Sequence, residues 1–166
     1  MADPVLYELA ERAGLALSQR GWMMATAESC TGGWIAEAVT MVPGSSAWFD
    51  RGFVTYTYAS KREMLGVRSE TLERHGAVSV LVVREMVEGA LKASDAQIAV
   101  AVSGIAGPGG GMPEKPVGTV CLAWGIRDQA PRSETLHFAG DREAVRRQSV
   151  IHALRVLIET IEDSAT

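Results

Sequence analysis

At 166 residues, with 47% hydrophobic and 22% charged side chains, the chain has the size and balance of one globular domain, expected to span residues 1–166. A formal charge of −4 gives no broad attraction to nucleic acid or acidic membranes, and no apolar run approaches the length of a membrane span. Cys30 and Cys121 are too few for a disulfide framework, and with the scattered His75, His137 and His152 they offer no metal-ligand spacing, so no metal site is expected. Met1-Ala2-Asp3-Pro4 lacks the basic and apolar regions of a signal peptide, which makes the cytoplasm the expected compartment.

Leu6, Leu9, Ala10, Ala13 and Leu17 recur at helical spacing and predict an amphipathic helix. The apolar run Trp22 to Ala27 reads as a central strand, and Trp34 to Met41 as a short helix behind it. Val42-Pro43-Gly44-Ser45-Ser46 is a turn, and Trp48 to Tyr58, rich in aromatic and β-branched residues, reads as a second strand. On that strand Val54, Tyr56 and Tyr58 are expected to share one face. A helical turn from Lys61 to Leu65 leads into a polar stretch, Glu70 to Gly76, followed by a predicted helix over Val80 to Ala93 and a buried strand over Ala96 to Ser103. Val117 to Ile126 and Glu134 to Phe138 predict a hairpin, and Asp141 caps a last helix carrying Ala144, Ile151, Leu154, Ile158 and Ile161. This alternation predicts an α/β fold, a three-layer α/β/α sandwich around a mixed, mostly parallel sheet.

Chemistry concentrates where these strands end. Glu28-Ser29-Cys30-Thr31-Gly32-Gly33 brings a hydroxyl and a thiol to a strand-to-helix junction, with Thr31 as candidate cap and with glycines that admit a ligand close to backbone amides. The plain alternative is an N-cap and tight turn. Lys61 can serve Ser29 as a base only if burial or a nearby cation lowers its pKa toward neutrality; otherwise it is a solvated surface lysine. Ser103 is a donor at a strand end, and the glycine-rich run from Gly104 to Gly111 can wrap an anion or a flat ligand, or be a surface loop. That run lacks both the Gly-Lys-Ser/Thr ending of a P-loop and the dinucleotide fingerprint. Arg142 and Arg146 share a helix face near an N-terminus, an arrangement suited to a phosphate or to a solvated face paired with Glu143 and Glu134. No Gly-x-Ser-x-Gly, Ser-x-x-Lys or His-Glu-x-x-His motif occurs, so a histidine base in a familiar arrangement is not expected, and Cys30 is the rival nucleophile.

Ala27-Glu28-Ser29-Cys30-Thr31-Gly32-Gly33, then Gly52-Phe53-Val54-Thr55-Tyr56 with Lys61, then Ser103-Gly104-Ile105-Ala106-Gly107-Pro108-Gly109-Gly110, then Gly140-Asp141-Arg142 resemble the nicotinamide-nucleotide amidase family, the family of the CinA C-terminal domain. The resemblance covers nearly the whole chain in order. It implies a bacterial enzyme of pyridine-nucleotide salvage that hydrolyses the carboxamide of nicotinamide mononucleotide without metal or cofactor. It further implies Ser29 as nucleophile, Lys61 as base and Tyr56 as helper. On this reading the amides of Thr31, Gly32 and Gly33 hold the oxyanion, Ser103 and Gly104 with the following loop line the pyridine or ribose, and Arg142 with Arg146 holds the 5′-phosphate. The expected partner is a small mononucleotide, with no nucleic acid or membrane and with a homo-oligomer as the expected assembly. Where the family commonly has Thr-Tyr-Ser-Asn, the chain has Thr55-Tyr56-Thr57-Tyr58, which puts a larger phenol where an asparagine could touch substrate. The competing classes are a non-catalytic pyridine-nucleotide-binding module and a Schiff-base enzyme using Lys61.

Overall fold

In the computed structural model, which describes residues 2–164, five strands form one sheet flanked by helices on both faces. Met1 of the N-terminal reading and the last two residues of the expected 1–166 span lie outside the described residues. The chain runs α1 (Pro4–Arg20), β1 (Met24–Glu28), α2 (Trp34–Thr40), β2 (Phe49–Val54), α3 (Tyr58–Leu65), α4 (Ser69–His75), α5 (Val80–Lys92), β3 (Ile98–Gly104), β4 (Thr119–Ile126), β5 (Arg132–His137) and α6 (Arg142–Asp163). The strand order is β2-β1-β3-β4-β5. β1 pairs in parallel with β2 and β3, whereas β3 with β4 and β4 with β5 are antiparallel. The expected mostly parallel sheet is therefore evenly mixed. The long connection from β3 to β4 contains no helix that could carry a crossover, so β4 returns beside β3.

Strand alternation splits the core in two. Met24, Val100, Leu122 and Trp124 pack with Leu6, Leu17 and Leu154 on the α1, α2 and α6 side. Ala25, Ala27, Ala99, Ala101 and Ala123 pack with Val83, Met86 and Val87 on the other. The alanine face lets α5 lie close on the sheet. Helix ends follow local chemistry: Asp3 accepts from the Val5 and Leu6 amides with Pro4 opening α1, Gly21 ends it in the left-handed region, and Asp141 accepts from Ala144 to start α6.

Two expectations change in this frame. The strand expected to reach Tyr58 stops at Val54, because Thr57 and Ser60 form a reciprocal capping box that starts α3 at Tyr58. Tyr56 thus lies in a connection and Tyr58 in the first turn of a helix, so they do not share a strand face. The polar stretch after Leu65 includes a seven-residue helix, α4, which buries only Thr71 and Leu72 and is too short to show a period.

Candidate active site

The site forms where β1 ends between β2 and β3. Parallel register pairs Glu28 with Val102 and with Val54. Two further bonds extend it: the Ser29 amide donates to the Val102 carbonyl at 3.0 Å, and the Thr55 amide to the Glu28 carbonyl at 2.8 Å. Ser29 and Ser103 are thereby neighbours, both buried and both lining one cavity of about 260 Å³. Strands leaving β1 in opposite directions open a crevice at their carboxyl ends, the usual place for a ligand in an open α/β sheet.

The capping box fixes where α3 begins and so where Lys61 stands. Lys61 is 1% exposed, and its Nζ donates to Ser29 Oγ at 3.0 Å and to the Thr55 carbonyl at 2.8 Å. No carboxylate among the described residues forms an ion pair with it. Burial lowers its pKa from the ordinary 10.5 to about 8, against a smaller opposing influence of Cys30. Burial pushes the neighbouring Cys30 thiol up to about 12, with the Glu28 carboxylate adding to the effect. Cys30 therefore stays a protonated thiol at neutral pH, unsuited to attack.

Glu28 organises the loop from beneath. Its Oε1 accepts from the Thr31 hydroxyl at 2.6 Å and the Ile35 amide at 2.9 Å, and its Oε2 from the Ala36 amide at 3.1 Å. Burial raises its pKa while these donors act in the opposite direction. The cap of α2 is therefore the Glu28 carboxylate and not, as expected, Thr31; Gly33 occupies the N-cap position at φ 102° without a side-chain bond. The Gly32 amide donates to the Ser29 carbonyl at 3.0 Å. Thr31, Gly32 and Gly33 do not line the cavity. The loop amides with no acceptor among the described residues are those of Cys30, Thr31 and Gly33; of these residues only Cys30 lines the cavity, and Thr31 is fully buried.

Arg142 stands at the cavity rim. Its Nη1 donates to the Gly107 carbonyl at 2.7 Å and its Nη2 to Tyr56 Oη at 2.8 Å, which ties the start of α6 to the glycine loop and to the connection after β2. Tyr56 and Tyr58, 58% and 45% exposed, stand beside it, while Ala77 and Val78 form an apolar wall that the sequence did not flag. The one hint is the Gly76-Ala77-Val78-Ser79 break between two helices. Arg146 lies off the cavity and turns to the nucleophile loop, with Nε on the Cys30 carbonyl at 3.0 Å and Nη2 on that of Thr31 at 3.2 Å. The structure thus brings Ser29, Lys61, Tyr56, Ser103, Gly104 and Arg142 to one cavity and places Thr31, Gly32, Gly33 and Arg146 behind it. Among the described residues no cluster of metal-ligating side chains occurs, and no helix is long and apolar enough to cross a membrane.

The sequence and the fold are similar to those of known proteins. Residues 6–161 match the model of the CinA C-terminal domain. The chain is 55% identical over 157 residues to nicotinamide-nucleotide amidohydrolase PncC of Escherichia coli (strain K12), covering 95% of each chain. It is 57% identical over 157 residues to the protein of the same name from Pseudomonas putida, covering 95% of this chain and 97% of that one. Among solved structures, the competence/damage inducible protein CihA from Agrobacterium tumefaciens superposes with a TM-score of 0.94 at 47% identity, covering 98% of this chain and 99% of that one. By the match of residues 6–161 to its model and by these relatives, the chain belongs to the CinA C-terminal domain family.

Proposed function

We propose that the protein is a nicotinamide-nucleotide amidohydrolase that converts nicotinamide mononucleotide to nicotinic acid mononucleotide and ammonia through an ester on Ser29. The observation that carries the mechanism is the 3.0 Å contact between Ser29 Oγ and a buried Lys61 amine that no acid among the described residues neutralises. A protein that only binds a nucleotide has no use for such a pair, since a buried unpaired amine lowers stability. The activity is that named for the relatives at 55% and 57% identity.

Neutral Lys61 takes the Ser29 proton as the hydroxyl attacks the amide carbon, and the Thr55 carbonyl holds the resulting ammonium in place. The Cys30 amide, free of an acceptor among the described residues and on a residue that lines the cavity, is the loop's donor for the oxyanion. Collapse of the tetrahedral species breaks the carbon–nitrogen bond, and the proton passes from Lys61, with Tyr56 as relay, to the departing ammonia. Water then attacks the ester with Lys61 again as base, which frees the carboxylate and restores Ser29. Arg142 holds the 5′-phosphate by exchanging its protein acceptors for phosphate oxygens, and Ser103 and Gly104 border the ring.

Ammonia release from nicotinamide mononucleotide by the purified protein tests this reading. Wild type and Cys30→Ala should turn over, with Ser29→Ala reduced by at least about a thousandfold because the attacking atom is gone. An active Ser29→Ala with a dead Cys30→Ala would reverse the assignment.

A further inference from the structure

The backbone of the nucleophile loop is held from outside the cavity by one side chain. Arg146 donates to two successive carbonyls, Cys30 at 3.0 Å and Thr31 at 3.2 Å, and its guanidinium lies over the Trp34 ring, 5.5 Å from the centroid. Trp34 opens α2, so the arginine touches both ends of the turn that follows Ser29. Gly32 lies between, where an added Cβ would stand 3.6 Å from Arg146 Nη2.

The consequence follows from peptide planarity. In a trans peptide the C=O and the next N–H point in opposite directions, so fixing one carbonyl fixes the following amide. With the Cys30 carbonyl held by Arg146, the Thr31 amide is turned away from the guanidinium. With the Ser29 carbonyl held by the Gly32 amide at 3.0 Å, the Cys30 amide is turned away from that bond. Of the loop amides without an acceptor among the described residues, that of Cys30 belongs to a residue that lines the cavity, and the Thr31 carbonyl held by Arg146 fixes the Gly32 amide that in turn holds the Ser29 carbonyl. Glu28 holds the same loop from the opposite side through the Thr31 hydroxyl at 2.6 Å.

We propose that Arg146 is a positioning residue, which by holding the Cys30 and Thr31 carbonyls fixes the turn that presents the Cys30 amide to the oxyanion, and which makes no contact with the substrate phosphate. This rests on the amidohydrolase reading given above. Arg142, one helical turn earlier on the same face of α6, does face the cavity, so one helix supports two parts of the site with two arginines of different roles.

The test compares wild type, Arg146→Ala and Arg146→Lys on nicotinamide mononucleotide and on nicotinamide riboside, which carries the same amide without phosphate. Arg146→Ala should lower kcat by about 10- to 100-fold on both substrates, with KM for the mononucleotide within about twofold of wild type, since loosening a positioned donor costs rate rather than affinity. Arg146→Lys, which keeps a cation able to reach one carbonyl, should recover part of that loss and, with the smaller change, keeps the test available if the alanine variant fails to fold. A second arm needs no knowledge of the substrate: the rate at which a fluorophosphonate labels Ser29 should fall by a similar factor, because its tetrahedral adduct needs the same Cys30 amide. A rise in KM confined to the phosphate-bearing substrate would overturn the proposal and return Arg146 to phosphate binding. Unchanged kcat and unchanged labelling in Arg146→Ala would also overturn it. Failure of wild type to release ammonia, with labelling still slowed in Arg146→Ala, would instead remove the substrate assignment and leave the positioning role standing.

Discussion

Lys61 must be buried to lose its charge and must still reach a hydroxyl. The site meets both needs by giving the amine two oxygen neighbours, Ser29 Oγ and the Thr55 carbonyl, and no carboxylate among the described residues. Replacement by arginine fills the space and keeps the positive charge but removes the capacity to accept a proton near neutral pH. Lys61→Arg should therefore be as inactive as Lys61→Met in the ammonia assay, and substantial kcat in the arginine variant would reduce Lys61 to a plain cation. Arg142 makes a different prediction, since its contacts are at the rim. Arg142→Ala should lower kcat/KM for nicotinamide mononucleotide by about tenfold to a hundredfold, the worth of a charge-assisted contact, and leave nicotinamide riboside nearly unaffected. Equal losses on the two substrates would mean that Arg142 serves through its bonds to Gly107 and Tyr56, as a tie between loops.

Ser29 stood out in the sequence because it lies at an element boundary, where α/β folds keep their chemistry, whereas Lys61, which lies inside α3, was marked as the base by the family resemblance. The tie between Tyr56 and Arg142 could not be read, because the partners are 86 residues apart and meet only through the sheet order. The role of Glu28 was hidden as well. A glutamate at the end of an apolar strand gives no sign that its carboxylate will turn back to cap the next helix.

Among the elements, α3 decides whether the base is in register, and α5 decides where α3 sits. Gly89 on α5 lies against the last residue of α3, so closely that an added Cβ would overlap the Leu65 carbonyl oxygen. Gly89→Ala must push the two helices apart, since backbone cannot yield as a side-chain tip can. Such overpacking costs about 1–3 kcal/mol, and a shift of α3 carries Lys61 with it. The expected result is a lower thermal midpoint together with a fall in kcat larger than that of a surface variant of equal stability, such as one at the exposed Met64. A stable, fully active Gly89→Ala would show that α3 is not held by this contact. The boundaries of α3 were partly legible, in Thr57 and Ser60, but the aromatic run ahead of them reads equally well as continuing strand. The capping box settled the matter, and β propensity yielded to it.

At the scale of the whole molecule, the alternation of helices and strands indicated the α/β class, and the late hairpin indicated a mixed sheet. The balance of parallel to antiparallel pairs was misjudged because the direction of β4 depends on the connection after Gly104, whose glycines and prolines carry no periodicity. The mixed sheet still keeps its three carboxyl ends from β1, β2 and β3 together, and the buried amine there should weaken the fold. The drop from 10.5 to about 8 means that the unfolded chain holds one more proton than the native one between those values, so native stability rises with pH across that window and carries the full penalty below it. The gross penalty is about 3 kcal/mol, from which the lost bond to the Thr55 carbonyl must be subtracted. Lys61→Met should thus be inactive yet more stable than wild type by about 1–2 kcal/mol at pH 7, an advantage that shrinks as pH approaches 10.5. Denaturant unfolding at the two pH values reads it, and a destabilised Lys61→Met at pH 7 would argue against a strained amine.

The central claim, that neutral Lys61 activates Ser29, is met most directly by the pH dependence of kcat/KM for nicotinamide mononucleotide. The neutral fraction of the free enzyme's amine falls tenfold for each pH unit below its pKa, so kcat/KM should climb with unit slope from pH 6.5 and level off near pH 8, about where burial places Lys61. A profile flat from pH 6.5 to 9 in wild type would contradict a lysine base at this site.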